Sequence, residues 1–514
     1  MPDADAGEIL NLRQDFPPVP TAAWEAAIAQ DLKGADYGKK LIWRTEEGID
    51  VRPYYRKEAL AGLGDRLLAR SMSRSWEIDA EPGAAAIRAD LLHEAGAHAI
   101  QELGYAMAAG VELLAAGTER PAASLERLAA GTGGVAAGVD RLAAGVDRLA
   151  ADRDGVAAGV ERLAAGTDQS AADTSAREIE FVFAAGPSYF IEIAKLRAAR
   201  ILWAQVAAAF GDTSCRMRLH VRTPRRNKSA CDRYSNLLRV TTEALSAVLG
   251  GCDSLTVEPF GFDAHLALNV QHILREESHL DAVADPAGGS YYIEALTDSL
   301  AREAWKLLQE VEAEGGNAAA TASGSIDKAL AETRTARAKA YSSRLRTLVG
   351  VNNYPNLTEK TPEGAIPPVE GAMGKMRIAE PFEAIRRRTA EHAQATGRYP
   401  KVLLLQRGDV KMRVARSNFC LNFLGCAGFD IVESEEYQGT DADLIVLCSS
   451  DAEYPAFAQD VCARVKVPVL VAGNPRDQVE LLQAAGVQGF IHAHSDVILT
   501  LTYWQNKLGM RSGQ

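Results

Sequence analysis

The sequence lacks several features that would assign a protein quickly to a class. Its seven cysteines form no C-x-x-C pair and show no His/Cys spacing typical of a metal site. We therefore expect free thiols in the cytoplasm, a reducing compartment, and no bound metal. No apolar run approaches the roughly 18–20 residues that span a bilayer, and the acidic start, MPDADAGEIL, has no signal-peptide pattern. These absences predict a protein without membrane contact.

An excess of positive charge is also missing. The 514 residues carry a formal net charge of -12, which argues against a nucleic-acid partner. With 47% hydrophobic and 24% charged residues, the composition is that of an ordinary globular protein. The length predicts two or more domains.

The sequence pattern divides the chain into four parts. Residues 1–60 form an arm that cannot bury much surface on itself, so we expect it to contact another domain or subunit. Residues 61–350 alternate strands and helices, and a Pro-, Asn- and Gly-rich linker covers 351–398. Residues 399–514 form a separate α/β unit.

The clearest unit of the second part lies between residues 216 and 294. Strand-like runs at 217–221 and 254–258 flank a helix predicted for 231–249, which Gly250-Gly251 ends. This order predicts a βαβ unit with parallel strands, whose functional residues would follow the carboxyl ends of the strands. Further strands are predicted at 75–78, 87–92 and 178–185.

Residues 117–176 contain a low-complexity repeat. Apolar residues recur seven apart, at Leu128, Val135, Leu142, Leu149, Val156 and Leu163. The heptad spacing permits a coiled-coil contact, whereas the many glycines favour a marginal helix or disorder.

The last part reads as five strands with helices between them. The strands are predicted at 401–406, 430–434, 444–450, 468–473 and 489–493, and the helices at 411–427, 454–465, 477–485 and 496–508. This alternation predicts a flavodoxin-like, doubly wound parallel sheet.

Several longer stretches resemble one family, methylmalonyl-CoA mutase. They include YFIEIAKLRAARILWA, REESHLDAVADPAGGSYYIEALT and LVGVNNYPN, and the resemblance covers nearly everything except 117–176. The segments SRSWEI, HEAGA and CSSDAEY resemble the small, non-catalytic subunit of the bacterial heterodimer more than its catalytic chain. The resemblance implies a TIM barrel around a CoA ester, joined to a flavodoxin-like cobalamin domain. It also implies a radical isomerisation supplied by adenosylcobalamin.

The family's cobalt-ligating motif, D-x-H-x-x-G, is degenerate in this chain. Asp409 is retained, but Lys411 stands in place of the His and Val414 in place of the Gly. A Lys ammonium is not a cobalt ligand. Asp409 is then best interpreted as a helix N-cap. The family's Gly-Gly pair has become Ala472-Gly473, so we expect no intact cofactor site.

The barrel site that the resemblance implies is also changed. Asp90 and Leu91 replace the pocket's Tyr and His, and Glu178-Ile179-Glu180 replaces the R-x-S that holds CoA. His220 remains, so it is the weak catalytic candidate, with a hydrogen-bonded core histidine as the alternative. Arg222, in place of a Gln, is the weak substrate-binding candidate; a solvated or partner-facing arginine is the alternative.

The barrel itself is abbreviated relative to the family. Between Trp76 and Ile87 the family has further β/α units, and this chain has about ten residues. The runs at Ile87, Ile179, Met217 and Ser254 supply four strands, half of a closed barrel. An open half-barrel exposes two edges, so we expect a partner chain or self-association.

The expected function is that of a small-subunit-type mutase chain. It would support a large, cobalamin-binding subunit that isomerises (R)-methylmalonyl-CoA and succinyl-CoA, and it would be inactive alone. Two alternatives remain: a scaffold or regulatory protein derived from a mutase, and a divergent active acyl-CoA mutase that depends on His220.

Overall fold

The computed structural model of the chain describes residues 18–61, 72–116, 178–359, 377–439 and 441–510. The repeat of 117–176 lies outside the described residues. The described strands are β1 Trp43–Arg44, β2 Asp50–Val51, β3 Glu77–Ile78, β4 Ile87–Arg88, β5 Glu178–Ala184, β6 Arg216–Arg222, β7 Ser254–Thr256, β8 Lys401–Gln406, β9 Asp430–Ser434, β10 Leu444–Cys448, β11 Val469–Ala472 and β12 Gly489–Ile491.

The helices alternate with these strands over most of the described chain, as the sequence predicts. They are α1 Thr21–Asp31, α2 Tyr37–Lys40, α3 Ala89–Ala95, α4 Ala99–Ala116, α5 Tyr189–Ala209, α6 Ser235–Leu249, α7 Ala264–His272, α8 Tyr291–Ala313, α9 Asn317–Ser323, α10 Ser325–Ser342, α11 Glu380–Thr396, α12 Val410–Gly425, α13 Tyr454–Cys462, α14 Val479–Ala484 and α15 Val497–Lys507. A π-helical turn, Ile273–Glu277, continues α7.

The first large sheet has five parallel strands in the order β3-β7-β6-β5-β4. It has one strand more than the four counted from the sequence, because β3 pairs with β7. Both edge strands are only two residues long. Since β3 and β4 follow each other in sequence, the connection 79–86 runs from one edge of the sheet to the other.

The prediction of a strand over 87–92 is correct only for Ile87 and Arg88. Residues from Ala89 onward form α3 instead, which Gly96 ends with φ of 113°. A left-handed glycine at this position closes a helix without a Cβ penalty. The local sequence ADLLHEAGA therefore encodes a short helix and its cap.

The first sheet is covered by helices on one face. Phe181, Leu219 and Val221 point into a core with α4, α5, α6 and α8. The alternate side chains lie on the opposite face, since successive residues of a strand point to opposite sides. We call this second side the polar face; its main side chains are Glu180, Arg218, His220, Arg222, Ser254 and Thr256.

The second large sheet is parallel throughout, in the order β12-β11-β10-β8-β9. Val402 and Leu404 belong to the core on one side, and Leu403 and Leu405 to the core on the other. Burial on both faces explains the continuous apolar run of β8.

The N-terminal arm attaches to the helices of the first part. Helix α1 has no buried residue, and Trp43 keeps 44% of its surface exposed. Glu46 forms ion pairs with Arg337 of α10 and with Arg346. Tyr55 packs edge-on against Tyr292 of α8, with ring centroids 5.3 Å apart.

The two sheet-forming parts meet at the loop after β6. Glu383 of α11 forms an ion pair with Arg377 and accepts a hydrogen bond from the backbone N–H of Ala230 at 2.8 Å. The backbone N–H of Ile378 donates to the Arg226 carbonyl at 2.9 Å. The carboxyl side of the first sheet is thus covered by residues that lead into the second part.

The thiols are as expected, since all seven cysteines are free and six are buried. Within the described ranges, no helix is both long enough and apolar enough to cross a membrane.

Candidate functional site

The polar face of the first sheet contains the residues that the sequence singles out. His220 is fully buried on β6. Its Nδ1 atom lies 2.9 Å from the Ser254 hydroxyl, and its Nε2 atom lies 3.3 Å from the Thr256 hydroxyl. Burial, together with the positive charge of Arg222, lowers the pKa of His220 to about 4. The imidazole is therefore neutral at pH 7, and both its nitrogens face hydroxyl groups of the chain itself.

Arg222 is engaged by a carboxylate of the neighbouring loop. It forms an ion pair with Glu258, which also lies 3.1 Å from the Arg225 guanidinium. Burial opposes the ionisation of Glu258, but the hydrogen bond and charge of Arg222 outweigh it and lower the pKa of that carboxyl. The two arginines therefore share an internal counter-ion, which weakens their attraction for phosphates.

The connection 79–86 crosses the polar face. The Thr256 hydroxyl donates to the Ala80 carbonyl at 2.8 Å, and the Gly83 N–H donates to the Glu180 carboxylate at 2.7 Å. Glu180 also lies 3.3 Å from Arg218. The segment that joins the two sheet edges thus occupies part of the polar face.

His93 lies away from the polar face. It belongs to α3, and its Nδ1 atom is 2.6 Å from the carboxylate of Glu102. The same carboxylate lies 2.9 Å from the Lys195 ammonium, which is 2.6 Å from Glu192. All four side chains are buried. The sequence contains only an indirect signal for this network, the charged residues within otherwise apolar helices.

The second candidate region is the carboxyl edge of the second sheet, where β8 and β10 are neighbours. In doubly wound sheets, ligands bind at the point where the strand order reverses. Asp409 is the N-cap of α12 and accepts from the Met412 N–H at 2.8 Å, as the structural interpretation predicts. Lys411, one residue inside the helix, is exposed.

The guanidinium of Arg416 occupies the space above Gly473. Gly473 has φ of 136°, and a Cβ at this residue would collide with Arg416. The guanidinium donates to the Ala472 carbonyl and to the Tyr454 hydroxyl, and it pairs with Asp451 at 2.6 Å. Burial raises the pKa of Tyr454, so its hydroxyl stays neutral. The space that Gly473 leaves open is filled by the Arg416 side chain of the same protein.

Glu453 fills the other half of this edge. Its carboxylate lies so close to Gly408 that a Cβ there would collide with it. It accepts from the hydroxyls of Ser450 at 2.5 Å and Ser449 at 2.9 Å, and from the Asp409 N–H at 3.3 Å. These hydrogen bonds, with that of Ser450 the strongest, lower the pKa of Glu453 to about 2.

The residues at this edge do not fit a cobalamin. An exposed ammonium stands where a cobalt-ligating imidazole is needed, and the Arg416 and Glu453 side chains occupy the glycine-lined space. Sequence reasoning identifies Lys411 through the motif, but it does not identify Arg416 or Glu453, which lie outside the motif. Among the described residues, no three His, Cys, Asp or Glu side chains are placed to hold a metal ion.

The sequence matches one known family over its middle part. The profile of the family described as methylmalonyl-CoA mutase matches residues 154–397. Relatives include the methylmalonyl-CoA mutase small subunit of Porphyromonas gingivalis, 37% identical over 65% of this chain and 59% of that protein. The small subunit of Streptomyces virginiae is 33% identical over 84% of this chain and 65% of that protein. The probable small subunit of Mycobacterium bovis is 36% identical over 55% of this chain and 49% of that protein.

The matched regions are therefore shorter than the relatives themselves. The chain spans 59% of the length of the first of these proteins and 65% of the second. These three relatives are named as small subunits, whereas the relative from Rhizobium meliloti, 37% identical over 42% of this chain, is named methylmalonyl-CoA mutase.

Proposed function

Because this chain belongs to the methylmalonyl-CoA mutase family, we propose that it is a small-subunit-type chain that supports a large catalytic partner. The partner would bind adenosylcobalamin and isomerise (R)-methylmalonyl-CoA and succinyl-CoA. This chain would belong to the enzyme, an isomerase of propionate metabolism, without carrying out the reaction alone. We propose the cytoplasm as its compartment, consistent with free, mostly buried thiols.

The observation that best supports this proposal is that the chain's own side chains fill the carboxyl edge of the second sheet. Arg416 and Glu453 fill the glycine-lined space there, and Lys411 replaces the ligating imidazole. A chain of a cobalamin-dependent family that closes its own cofactor region needs another chain for the chemistry. The named small subunits among its relatives agree with that division of work.

For the fold, we propose that the first sheet is part of a (β/α) barrel and the second part is flavodoxin-like. Pairing of β3 with β7 supports the first point, because in a closed barrel the first strand pairs with the last. The order β12-β11-β10-β8-β9 is the doubly wound order 5-4-3-1-2, which supports the second. We retain the domain limits 1–60, 61–350, 351–398 and 399–514 as proposals.

The barrel residues support a non-catalytic role. His220 faces two hydroxyl groups and is neutral at pH 7, and Arg222 is paired with Glu258. In these arrangements neither His220 nor Arg222 is free to bind an anionic substrate. A divergent active mutase would need both side chains to exchange these partners, so we place it behind the small-subunit function.

The scaffold alternative shares the same structure and differs in its partner. Exposed aromatic residues of the arm, Trp24 at 45% and Trp43 at 44%, suit a protein contact in either case. The discriminating question is whether the partner is a cobalamin-binding mutase chain.

Co-purification from the native host tests the proposal. Tagged full-length chain should recover a mutase chain with an intact D-x-H-x-x-G motif, and the recovered complex should isomerise methylmalonyl-CoA. Trp43→Ala should weaken recovery if the arm contacts the partner, whereas Tyr503→Ala, an equally exposed aromatic of α15, is the matched control. Recovery of other proteins without any cobalamin-binding mutase chain would favour the scaffold.

A further inference from the structure

A small cleft lies beside the carboxyl end of β5, apart from both regions described above. It opens between the N-terminus of α5, the arm and α10. His93, Ser188, Glu192, Arg226, Arg337 and Glu46 are among its lining residues. Gly186 leaves room for two of them, because a Cβ there would lie 2.9 Å from the His93 ring and from the Glu192 carboxylate.

Arg226 is the unusual group in this cleft. Only 4% of the residue is exposed, and its Nε has no hydrogen-bond partner in the described part of the chain. Nη1 donates to the Glu94 carbonyl at 3.1 Å. The ion pairs of the described residues include none to Arg226, although an arginine buried to this extent normally has a carboxylate partner.

The surroundings of Arg226 add positive charge. Arg334 and Arg337 also donate to backbone carbonyls at the end of α3, at Ala95 and Gly96. Burial and the charge of Arg337 lower the pKa of Arg226 to about 10, so it remains protonated at pH 7. Binding the end of α3 accounts for Nη1 of Arg226, but it leaves Nε unsatisfied.

The N-terminus of α5 faces the same cleft. Its N-cap, Ser188, makes no side-chain capping hydrogen bond. A helix of 21 residues therefore directs uncapped backbone N–H groups and the positive end of its dipole toward this region.

Two acidic residues of the cleft are held in ion pairs. Glu46 pairs with Arg337 and Arg346, and Glu192 pairs with Lys195 at 2.6 Å. Burial and the charge of Glu46 raise the pKa of Glu47, whose carboxyl also lines the cleft. Arg337 and Arg346 thus share Glu46, whereas Arg226 has no ion pair among the described residues.

We propose that this cleft binds a small oxyanion, a carboxylate or phosphate group, between the Arg226 guanidinium and the N-terminus of α5. The anion would supply the partner that Nε lacks and would cap the helix. The size of the cleft restricts the ligand to a small anion or to the end group of a larger one. The inference does not depend on the proposed function, because the site lies within this chain.

Binding of acetate and of inorganic phosphate to the full-length chain tests the proposal by calorimetry. Ionic strength is held constant with chloride, so that a change in screening is not mistaken for binding. Saturable binding of either anion is expected, and the comparison of the two probes identifies which group the cleft prefers. If neither anion binds, the proposal is overturned.

Two variants locate the site. Arg226→Gln should weaken binding at least about tenfold, the effect of losing one charge-assisted hydrogen bond. Arg225→Gln is the matched control, because its side chain is on the same loop but pairs with Glu258, and it should leave the affinity unchanged. Equal affinity in wild type and Arg226→Gln would contradict the assignment.

Ser188→Asp covers the case in which Arg226→Gln fails to fold. Aspartate is a favoured N-cap, so this variant should fold at least as well as wild type. Its carboxylate would occupy the helix N-terminus in place of the anion and should reduce binding at least about tenfold. Undiminished binding in a folded Ser188→Asp protein would overturn the proposal.

Discussion

The guanidinium of Arg416 lies against Gly473, in the volume that any side chain at residue 473 would need. In this fold, a glycine after a sheet strand commonly lets a ligand approach the backbone. Here the approaching group is the chain's own cation, which binds the Ala472 carbonyl and the Tyr454 hydroxyl. What serves elsewhere as a ligand site has become part of the packing of the second sheet.

Arg416→Ala should therefore reduce stability. The Ala472 carbonyl and the Tyr454 hydroxyl would each lose a charged partner, at a cost of about 1–3 kcal/mol. Urea unfolding measures the change. Arg464→Ala removes an exposed ion pair with Asp460 and should change stability by less than about 0.5 kcal/mol. Equal effects for the two variants would contradict the packing role of Arg416.

Arg197→Ala should be the more damaging substitution in the first part. Arg197 is fully buried and pairs with Asp285 and Glu294, so its removal leaves two buried carboxylates without this cation. Breaking such a network costs about 3–5 kcal/mol. Denaturant unfolding tests this, with Arg302→Ala of a partly exposed α8 pair as the control. A loss below about 1 kcal/mol for Arg197→Ala would show that the network is not stabilising.

The attachment of the arm should depend on pH through Glu46. Burial opposes its ionisation, but the hydrogen bond and charge of Arg337 outweigh burial and lower its pKa from 4.5 to about 2. The carboxylate thus contributes stability above pH 4.5, which is lost as the pH falls toward 2. We expect the arm to become sensitive to an acid-active protease in this range. With a protease that is active at pH 7, the arm of Glu46→Gln should be cleaved faster than that of wild type. Equal resistance of the two proteins at pH 7 would argue against the ion pairs as the attachment.

The substitution His220→Asn distinguishes the structural from the catalytic interpretation of His220. Both ring nitrogens face hydroxyl groups, and the imidazole is neutral at pH 7 because its pKa is lowered to about 4. Mutase activity of the proposed complex with a large subunit should therefore be unchanged, measured as kcat and KM for methylmalonyl-CoA. A fall in kcat of about tenfold or more with intact assembly would assign His220 to the chemistry.

Local sequence patterns are enough to predict the second sheet and the helix α6. The runs KVLLLQ and LIVLCSS are buried on both faces, which makes them continuous and easy to recognise. The strand predicted for 87–92 is wrong because the local signal for the helix there is weak. The helix α3 is short, and its clearest signal is the single cap at Gly96.

Residues of the candidate sites could be predicted only where they belong to a recognisable sequence motif. Lys411 is recognisable because it replaces a residue of known spacing, and Asp409 because a carboxylate before a helix is a common cap. Arg416 reaches this edge from α12 and Glu453 from the residue before α13, and the Arg226 cleft combines a loop, a helix end and the arm. Such contacts depend on tertiary placement, which no local spacing reveals.

The most direct test of the account is where the cofactor binds. The absorption spectrum of adenosylcobalamin is recorded with the isolated chain, with the proposed large subunit alone and with the complex that the two are proposed to form. The account predicts an unshifted spectrum with this chain, and cofactor bound by the complex in the same amount as by the large subunit alone. A shifted spectrum with the isolated chain, or additional cofactor bound in the complex, would contradict it.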